Sequence, residues 1–378
     1  MSTLVHSVRL LGSASVDSDR TDGWALFDAG RVAATGVGGD RPHASEVVDG
    51  GNGCLLPGFI DIHGHGGAAA SFDDGPEAIA TARAVHRAHG TTRAVLSLIT
   101  APIDDLAARV ATVADLCDAD PTILGSHLEG PFLDPGHKGA HTESLLRAPD
   151  AASVDRLLEA GRGTIRQVTL APEREGAFDA IRRFVDAGVA VAVGHTNADA
   201  ATTRRAFDAG ATLITHAFNA MPGIHHRAPG PVVPAVRDER VTLEVIADGV
   251  HVDLELVATL FEVAGDRIAL ITDAMAAAGA QDGQYELGGL AVRVTDGVAR
   301  LEEGGAIAGS TLTQDAALRH VVGVGVPLEV ASHALSRQPA HAIHRDDLGS
   351  LDVGSLADAV LLDDALAVRR VWVAGREV

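Results

Sequence analysis

Pro57-Gly-Phe-Ile-Asp-Ile-His-Gly-His-Gly-Gly67 joins an apolar run to two histidines one residue apart. Pro57 and Gly58 mark the entrance, Phe59–His63 reads as a short buried strand, and Gly64, Gly66 and Gly67 give the backbone freedom at its exit. Alternate residues of a strand share a face, and the glycines let both imidazoles turn inward where the pleat is ending.

Runs of the same kind recur at Thr92–Leu98, Thr122–Glu129, Ile165–Leu170, Val189–His195, Ala211–His216, Thr242–Ala247 and Arg267–Asp273. They are short, rich in Val, Ile and Leu, and mostly lack strict alternation, as parallel strands buried on both faces do. Helical spacing fills most of the gaps, over Glu77–His89, Ile103–Cys117, Ala151–Ala160, Gly176–Ala187, Asp199–Ala209 and Asp253–Ala264. Gly90, Gly188, Gly210 and Gly265 stand where left-handed caps would end helices. Eight strands alternating with helices predict an α/β chain folded as a (β/α)8 barrel, with a doubly wound open sheet as the alternative.

The barrel is expected over residues 56–340. Residues 1–55 and 341–378 carry short β-type runs (Trp24–Phe27, Ala359–Leu362, Arg370–Ala374) and are expected to form one small β-sandwich domain from both chain ends. The Gly- and Val-rich segment Glu286–Arg300 reads as a hairpin inserted after the eighth strand.

Of the 378 residues, 46% are hydrophobic and 21% charged, enough apolar material for a large core. The formal net charge of -21 repels nucleic acid and anionic lipid, and excludes both as expected partners. No apolar run reaches the length of a membrane span and the start lacks a signal-peptide pattern, so a cytoplasmic protein is expected. Cys54 and Cys117 are too few for a disulfide framework and read as small buried hydrophobes. A phosphorylated ligand would need a local group of cationic or N–H donors to overcome the bulk charge, and His225, His226 and Arg227 form one such group.

The chemistry lies in what ends the strands. His63 and His65 end the first, Glu129 the third, His195 the fifth, His216 the sixth and Asp273 the eighth. In a barrel the C-terminal strand ends converge on one face, so these six side chains would surround one point. Imidazoles with carboxylates suit Zn²⁺ or a similar first-row divalent ion, and the set has too few hard oxygens for calcium. Each histidine taken alone could equally be a hydrogen-bonded polar residue at a strand end; it is the coincidence of all of them that points to a metal site.

The first-strand segment resembles the signature of the amidohydrolase superfamily. His127-Leu-Glu-Gly-Pro-Phe132, Gly194-His-Thr-Asn-Ala198, Thr215-His-Ala-Phe-Asn-Ala-Met221, Asp248-Gly-Val-His251 and Thr272-Asp-Ala-Met275 together resemble the N-acetylglucosamine-6-phosphate deacetylase family within it. The resemblance implies that Glu129, His195 and His216 hold the principal ion, Zn²⁺ by default with Fe²⁺ or Co²⁺ as alternatives, and that Asp273 is the catalytic acid and base. His63 and His65, absent from some members, imply a second ion sharing Glu129. It further implies that Arg227 grips a sugar phosphate from across a homodimer interface, assisted by the Asn219–Ala220 backbone. Asp248, His251, Ala140, His141, Ile307, Ala308 and Gly309 are matched to substrate contacts. The implied reaction is hydrolysis of N-acetylglucosamine 6-phosphate to glucosamine 6-phosphate and acetate.

Three other readings are weighed against this one. Ring-opening relatives commonly carry a lysine on the fourth strand, which here reads Gln167-Val-Thr-Leu-Ala171. The galactosamine epimer differs at one hydroxyl, which no identified residue reads. A non-catalytic sugar-phosphate sensor would not call for Asp273.

Overall fold

A computed structural model describes residues 2–378. Eight parallel strands form the central sheet in sequential order: Phe59–Asp61, Thr91–Ile99, Ile123–Glu129, Ile165–Leu170, Ala190–Val193, Leu213–Ile214, Thr242–Ile246 and Ile268–Ile271. The eighth strand meets the first through side chain and backbone: Thr272 Oγ1 donates to Asp61 Oδ2 at 2.6 Å, and Asp273 N donates to the His63 carbonyl at 2.8 Å. The barrel is thereby all but closed, and the open-sheet alternative is set aside.

The strands end earlier than their apolar runs suggest. His195, His216 and Asp273 lie past the last ladder residues, Val193, Ile214 and Ile271. Around the sheet the six expected helices form at Pro76–Ala88, Ile103–Ala119, Ala151–Gly161, Ala177–Asp186, Ala200–Asp208 and Leu254–Ala264. Asp150, Asp199 and Asp253 cap three of them by accepting from the first-turn amides of Ser153, Thr202 and Glu255. Four further helices, Val232–Arg237, Gln314–Gly323, Leu328–Leu335 and Arg337–Ala342, lack a spacing distinct enough to predict them. Among the described residues no helix is long and apolar enough to cross a membrane.

Strands from both chain ends build a second sheet bent about Thr3–Leu10, where Ser7 adopts φ 54° at a register shift. One half of it holds Gly23–Asp28, Arg31–Val37 and Glu46–Asp49; the other holds Cys54–Pro57, Ala359–Leu362, Val368–Val373 and Arg376–Glu377. Val5, Ala25, Phe27 and Val48 from the first half share a core with Leu55, Leu361 and Trp372 from the second, with the Phe27 and Trp372 rings edge-on at 6.0 Å. The segment read as a hairpin is instead a three-stranded antiparallel sheet, Gly283–Leu287, Leu290–Thr295 and Val298–Leu301. Its third strand is needed because Val292, Val294, Ala299 and Leu301 bury one face against Met275, Ala276 and Ile99 at the barrel mouth.

A buried ion pair ties the terminal sheet to the other end of the barrel. Arg93, at the start of the second barrel strand, donates to Asp358, whose remaining oxygen accepts from Ala374 N at 2.8 Å. Removing one partner of such a pair leaves an uncompensated buried charge and costs about 3–5 kcal/mol. Asp358→Ala is therefore expected to lower the unfolding free energy by about that amount, read from the denaturant midpoint. A loss of under about 1 kcal/mol, the range of a surface pair, would show that the tie contributes little.

Candidate metal and catalytic centre

Glu129, the last residue of the third barrel strand, is buried at the mouth of the barrel with imidazoles on both sides. Its Oε1 lies 3.1 Å from His195 Nε2, 3.2 Å from His216 Nε2 and 3.3 Å from His63 Nε2. Its Oε2 lies 3.1 Å from His65 Nε2 and 3.5 Å from His141 Nε2. Asp273 Oδ1 completes the cluster, 3.3 Å from His65 Nε2 and 3.5 Å from His63 Nε2.

Three of the residues reach this point only because the backbone turns out of the strand. His195, His216 and Asp273 have φ of 45°, 27° and 48°, a left-handed region that costs an L-residue about 1–3 kcal/mol and recurs at functional sites. Gly194 makes the first of these turns possible by close approach, since a Cβ there would stand 2.6 Å from Thr215 and 2.8 Å from Thr169.

Every imidazole presents Nε2 to the centre, and for three of them a partner behind the ring fixes that orientation. His195 Nδ1 donates to the His137 carbonyl at 2.9 Å, His141 Nδ1 is 2.8 Å from Thr100 Oγ1, and His63 Nδ1 is 3.0 Å from Glu244 Oε2. With its proton committed to a carbonyl, a neutral His195 turns a lone pair toward Glu129 and toward His216 Nε2, 3.0 Å away. A lone pair aimed at a carboxylate oxygen calls for a cation between them. His63 Nε2 is likewise buried with no hydrogen-bond partner. The donors fall into two groups that fit a divalent ion, His63 with His65 and Asp273, and Glu129 with His141 and His195. His141, matched in sequence to substrate, therefore stands among the metal-ligating candidates.

The charges of the cluster balance internally. Burial raises Glu129, but His63 and the imidazoles of His141, His195 and His216 packed against its oxygens outweigh it and carry the carboxyl well below its usual range. Burial likewise opposes charge on His63, yet Glu129 and Asp273 hold its pKa well above the usual imidazole value. Asp273, raised by burial, is brought below its ordinary value chiefly by His63 and His65. Burial pushes His141 down to about 4, which keeps it neutral.

The centre opens into a cavity of about 370 Å³ lined by Ala140, His141, Asn219, Ala220, His251, Ile307 and Gly309 as the sequence suggests, together with His137, Ile99 and Leu287. Three expected contacts lie elsewhere. Ala308 is fully buried and packs into the core under the three-stranded sheet, where its backbone N–H donates to the Ala299 carbonyl at 3.1 Å. Asp248 stands behind the cavity wall, accepting from His251 N at 2.8 Å and lying 2.6 Å from His251 Nδ1. Arg227 is exposed on a turn, 2.7 Å from His226, and does not line the cavity. Glu244 was missed by sequence reasoning, though it is the one ionisable residue in the run Val241–Ala247.

Uptake of a divalent ion must displace protons from the cluster. Burial opposes charge on His65, but hydrogen bonds to Asp273 and Glu129 lift its pKa to about 9. Apparent ion affinity of metal-free protein is thus expected to rise with pH between about 7 and 9, up to tenfold per unit for each proton displaced. Chelator-buffered titration checks this, and a flat profile between pH 7 and 9 would show that the histidines bind ions already deprotonated.

The sequence model of the amidohydrolase family matches residues 54–378. A solved structure of N-acetyl-D-glucosamine-6-phosphate deacetylase from Mycobacterium smegmatis superposes with a TM-score of 0.94 at 42% identity, over 100% of both chains. An aspartate-to-alanine mutant from the same organism, in complex with N-acetyl-D-glucosamine-6-phosphate, gives 0.93 at 42% identity over 100% of this chain and 98% of that one. The N-acetylgalactosamine-6-phosphate deacetylase of Escherichia coli O157:H7 is 40% identical over 94% of this chain and 96% of its own length. The N-acetylglucosamine-6-phosphate deacetylase of Vibrio furnissii is 36% identical over 86% and 82%. The chain belongs to the amidohydrolase family, in its branch of N-acetylglucosamine- and N-acetylgalactosamine-6-phosphate deacetylases.

Proposed function

We propose that the protein hydrolyses N-acetyl-D-glucosamine 6-phosphate to D-glucosamine 6-phosphate and acetate, within amino-sugar catabolism and recycling. The observation that carries the reading is the position of Asp273, a carboxylate at the edge of the imidazole cluster that also lines the cavity. A cavity of about 370 Å³ falls in the range of small-molecule sites. Zn²⁺ is the ion we assign, held by Glu129, His195 and His216, with a second at His63 and His65 and with Fe²⁺ or Co²⁺ as the alternatives.

When bound, a divalent ion supplies Lewis-acid polarisation of the amide carbonyl and acidifies water. Asp273, ionised at neutral pH, accepts a proton from the attacking water as the C–O bond forms at the acetyl carbon. The same carboxyl returns that proton to the amide nitrogen as the C–N bond breaks, releasing acetate and the amine. His251 faces the cavity with Nδ1 held by Asp248. Burial lowers its pKa, but that hydrogen bond and the Asp248 charge outweigh it, so the ring is biased toward donating to the acetyl oxygen or a sugar hydroxyl. Leu287 and Ile99 bound the cavity on its apolar side.

Phosphate recognition is assigned to Arg227 of a second subunit in a homodimer, with the Asn219 and Ala220 backbone assisting. The exposure of the Arg227 turn, where Ile224 is 58% exposed, supports a role between subunits. A cytoplasmic location fits a substrate of this kind. Deacetylation of N-acetylgalactosamine 6-phosphate is the second reading, favoured by the 40% identity to the Escherichia coli enzyme of that name.

Amine release from the two epimeric 6-phosphates and from unphosphorylated N-acetylglucosamine tests the proposal. Faster release from the gluco 6-phosphate, lost on chelation and restored by Zn²⁺, is expected; a preference for the galacto epimer would install the second reading. Asp273→Asn is expected to lower kcat by about 10²–10⁴-fold, the worth of a general acid and base, while the ion at Glu129, His195 and His216 stays bound. Near-normal turnover would remove Asp273 from the mechanism. Arg227→Ala should raise KM for the phosphorylated sugar and leave the unphosphorylated one unchanged; equal loss on both would refute the phosphate assignment.

A further inference from the structure

Glu244 lies on the seventh barrel strand beneath the cluster and is fully buried. Its Oε1 accepts from Gln167 Nε2 at 2.6 Å, and its Oε2 accepts from the His216 backbone N–H at 3.4 Å and sits 3.0 Å from His63 Nδ1. A buried carboxylate is costly unless its oxygens are occupied, and here both are, by an amide, a backbone N–H and an imidazole. None of these partners is an arginine or a lysine, so the site is not an ordinary buried ion pair.

His63 is equally enclosed. Its Nε2 lies 3.3 Å from Glu129 Oε1 and 3.5 Å from Asp273 Oδ1, with no hydrogen-bond partner, so one ring nitrogen is held and the other is aimed at carboxylates. A neutral imidazole carries one ring proton, and a carboxylate acceptor on Nδ1 keeps it there, leaving Nε2 free to bind an ion. The remaining histidines are arranged differently. His195 and His141 are oriented by a carbonyl and a hydroxyl, and the Nδ1 atoms of His65 and His216 have no partner. Glu244 is thus the one carboxylate found behind a ligand ring, and that ring belongs to the group containing Asp273.

We propose that Glu244 is the positioning residue that fixes His63 as an Nε2 ligand and thereby determines whether the cluster beside Asp273 holds a second divalent ion. The inference rests on the two-ion reading of the site. Gln167 extends the arrangement by one hydrogen bond to the carboxylate oxygen that His63 does not use. Carboxylates that orient a metal-bound histidine typically change ion affinity by about 10–100-fold when removed.

Metal-free wild type, Glu244→Gln, His63→Gln and the double variant would be titrated with Co²⁺, with bound metal counted by elemental analysis and each equivalent followed by its visible absorption. The wild type is expected to take two equivalents. Glu244→Gln should keep the first at wild-type affinity and bind the second about 10–100-fold more weakly. The double variant should match His63→Gln, since a residue acting only through His63 adds nothing once that ring is gone.

Two tight equivalents in Glu244→Gln, or equal weakening of both, would overturn the proposal alone. One equivalent in the wild type would overturn the two-ion reading and the proposal with it. If Glu244→Gln does not fold, the Zn²⁺-loaded wild type decides by proton NMR. A solvent-protected Nδ1 proton on His63, missing from His63→Gln, is expected, and a His63 ring protonated at Nε2 would refute the assignment.

Discussion

One buried carboxylate, Glu129, organises the mouth of the barrel. Five imidazole Nε2 atoms lie within 3.5 Å of its two oxygens, and they come from the segments just past the first, fifth and sixth barrel strands and from the loop after the third. An isolated carboxylate at this depth would cost several kcal/mol, so the arrangement persists only because positive charge surrounds it. In the metal-free centre Glu129 and Asp273 raise the pKa of His63 and His65 against the effect of burial, which favours positive charge on those rings; a bound ion would supply that charge in their place.

The same constraint explains the irregular strand ends. A parallel strand aims alternate side chains into the barrel, but the ladder stops at Val193, Ile214 and Ile271, and the next residues must bend inward over the mouth. Left-handed backbone at His195, His216 and Asp273 makes that bend. The strain is held by contacts on either side, among them Asp273 N to the His63 carbonyl and Ser310 N to the Asp273 carbonyl at 2.7 Å. The loop after Glu129 closes over the group, since the His137 carbonyl fixes His195 and the His141 ring lies edge-on to His195 at 4.6 Å.

A protein of net charge -21 that acts on an anion must separate its surface field from its site. The two acids that line the cavity, Glu129 and Asp273, are both engaged by histidines, and the rest of the wall is imidazole, amide, backbone and aliphatic surface. The three-stranded insertion contributes to this through Leu287, which reaches the cavity while its neighbours bury themselves against Met275 and Ala276. Catalysis in such a setting depends on dipoles and donors held in place before the substrate arrives.

Much of this was legible in the sequence, because it rests on local chemistry. Short Val- and Ile-rich runs alternating with capped helices determine a parallel barrel, and a polar residue at the end of such a run points to the C-terminal face whatever the rest of the chain does. His63, His65, Glu129, His195, His216 and Asp273 were found that way. Tertiary structure alone decided which ring nitrogen faces the centre, that His141 from a loop joins Glu129, that Glu244 stands behind His63, and that Ala308 and Asp248 lie behind the wall. Strand periodicity distinguishes inward from outward but not one layer of the barrel from the next, and a loop residue has no periodicity at all. Those positions follow from how far each strand is staggered when the sheet closes, which no single segment specifies.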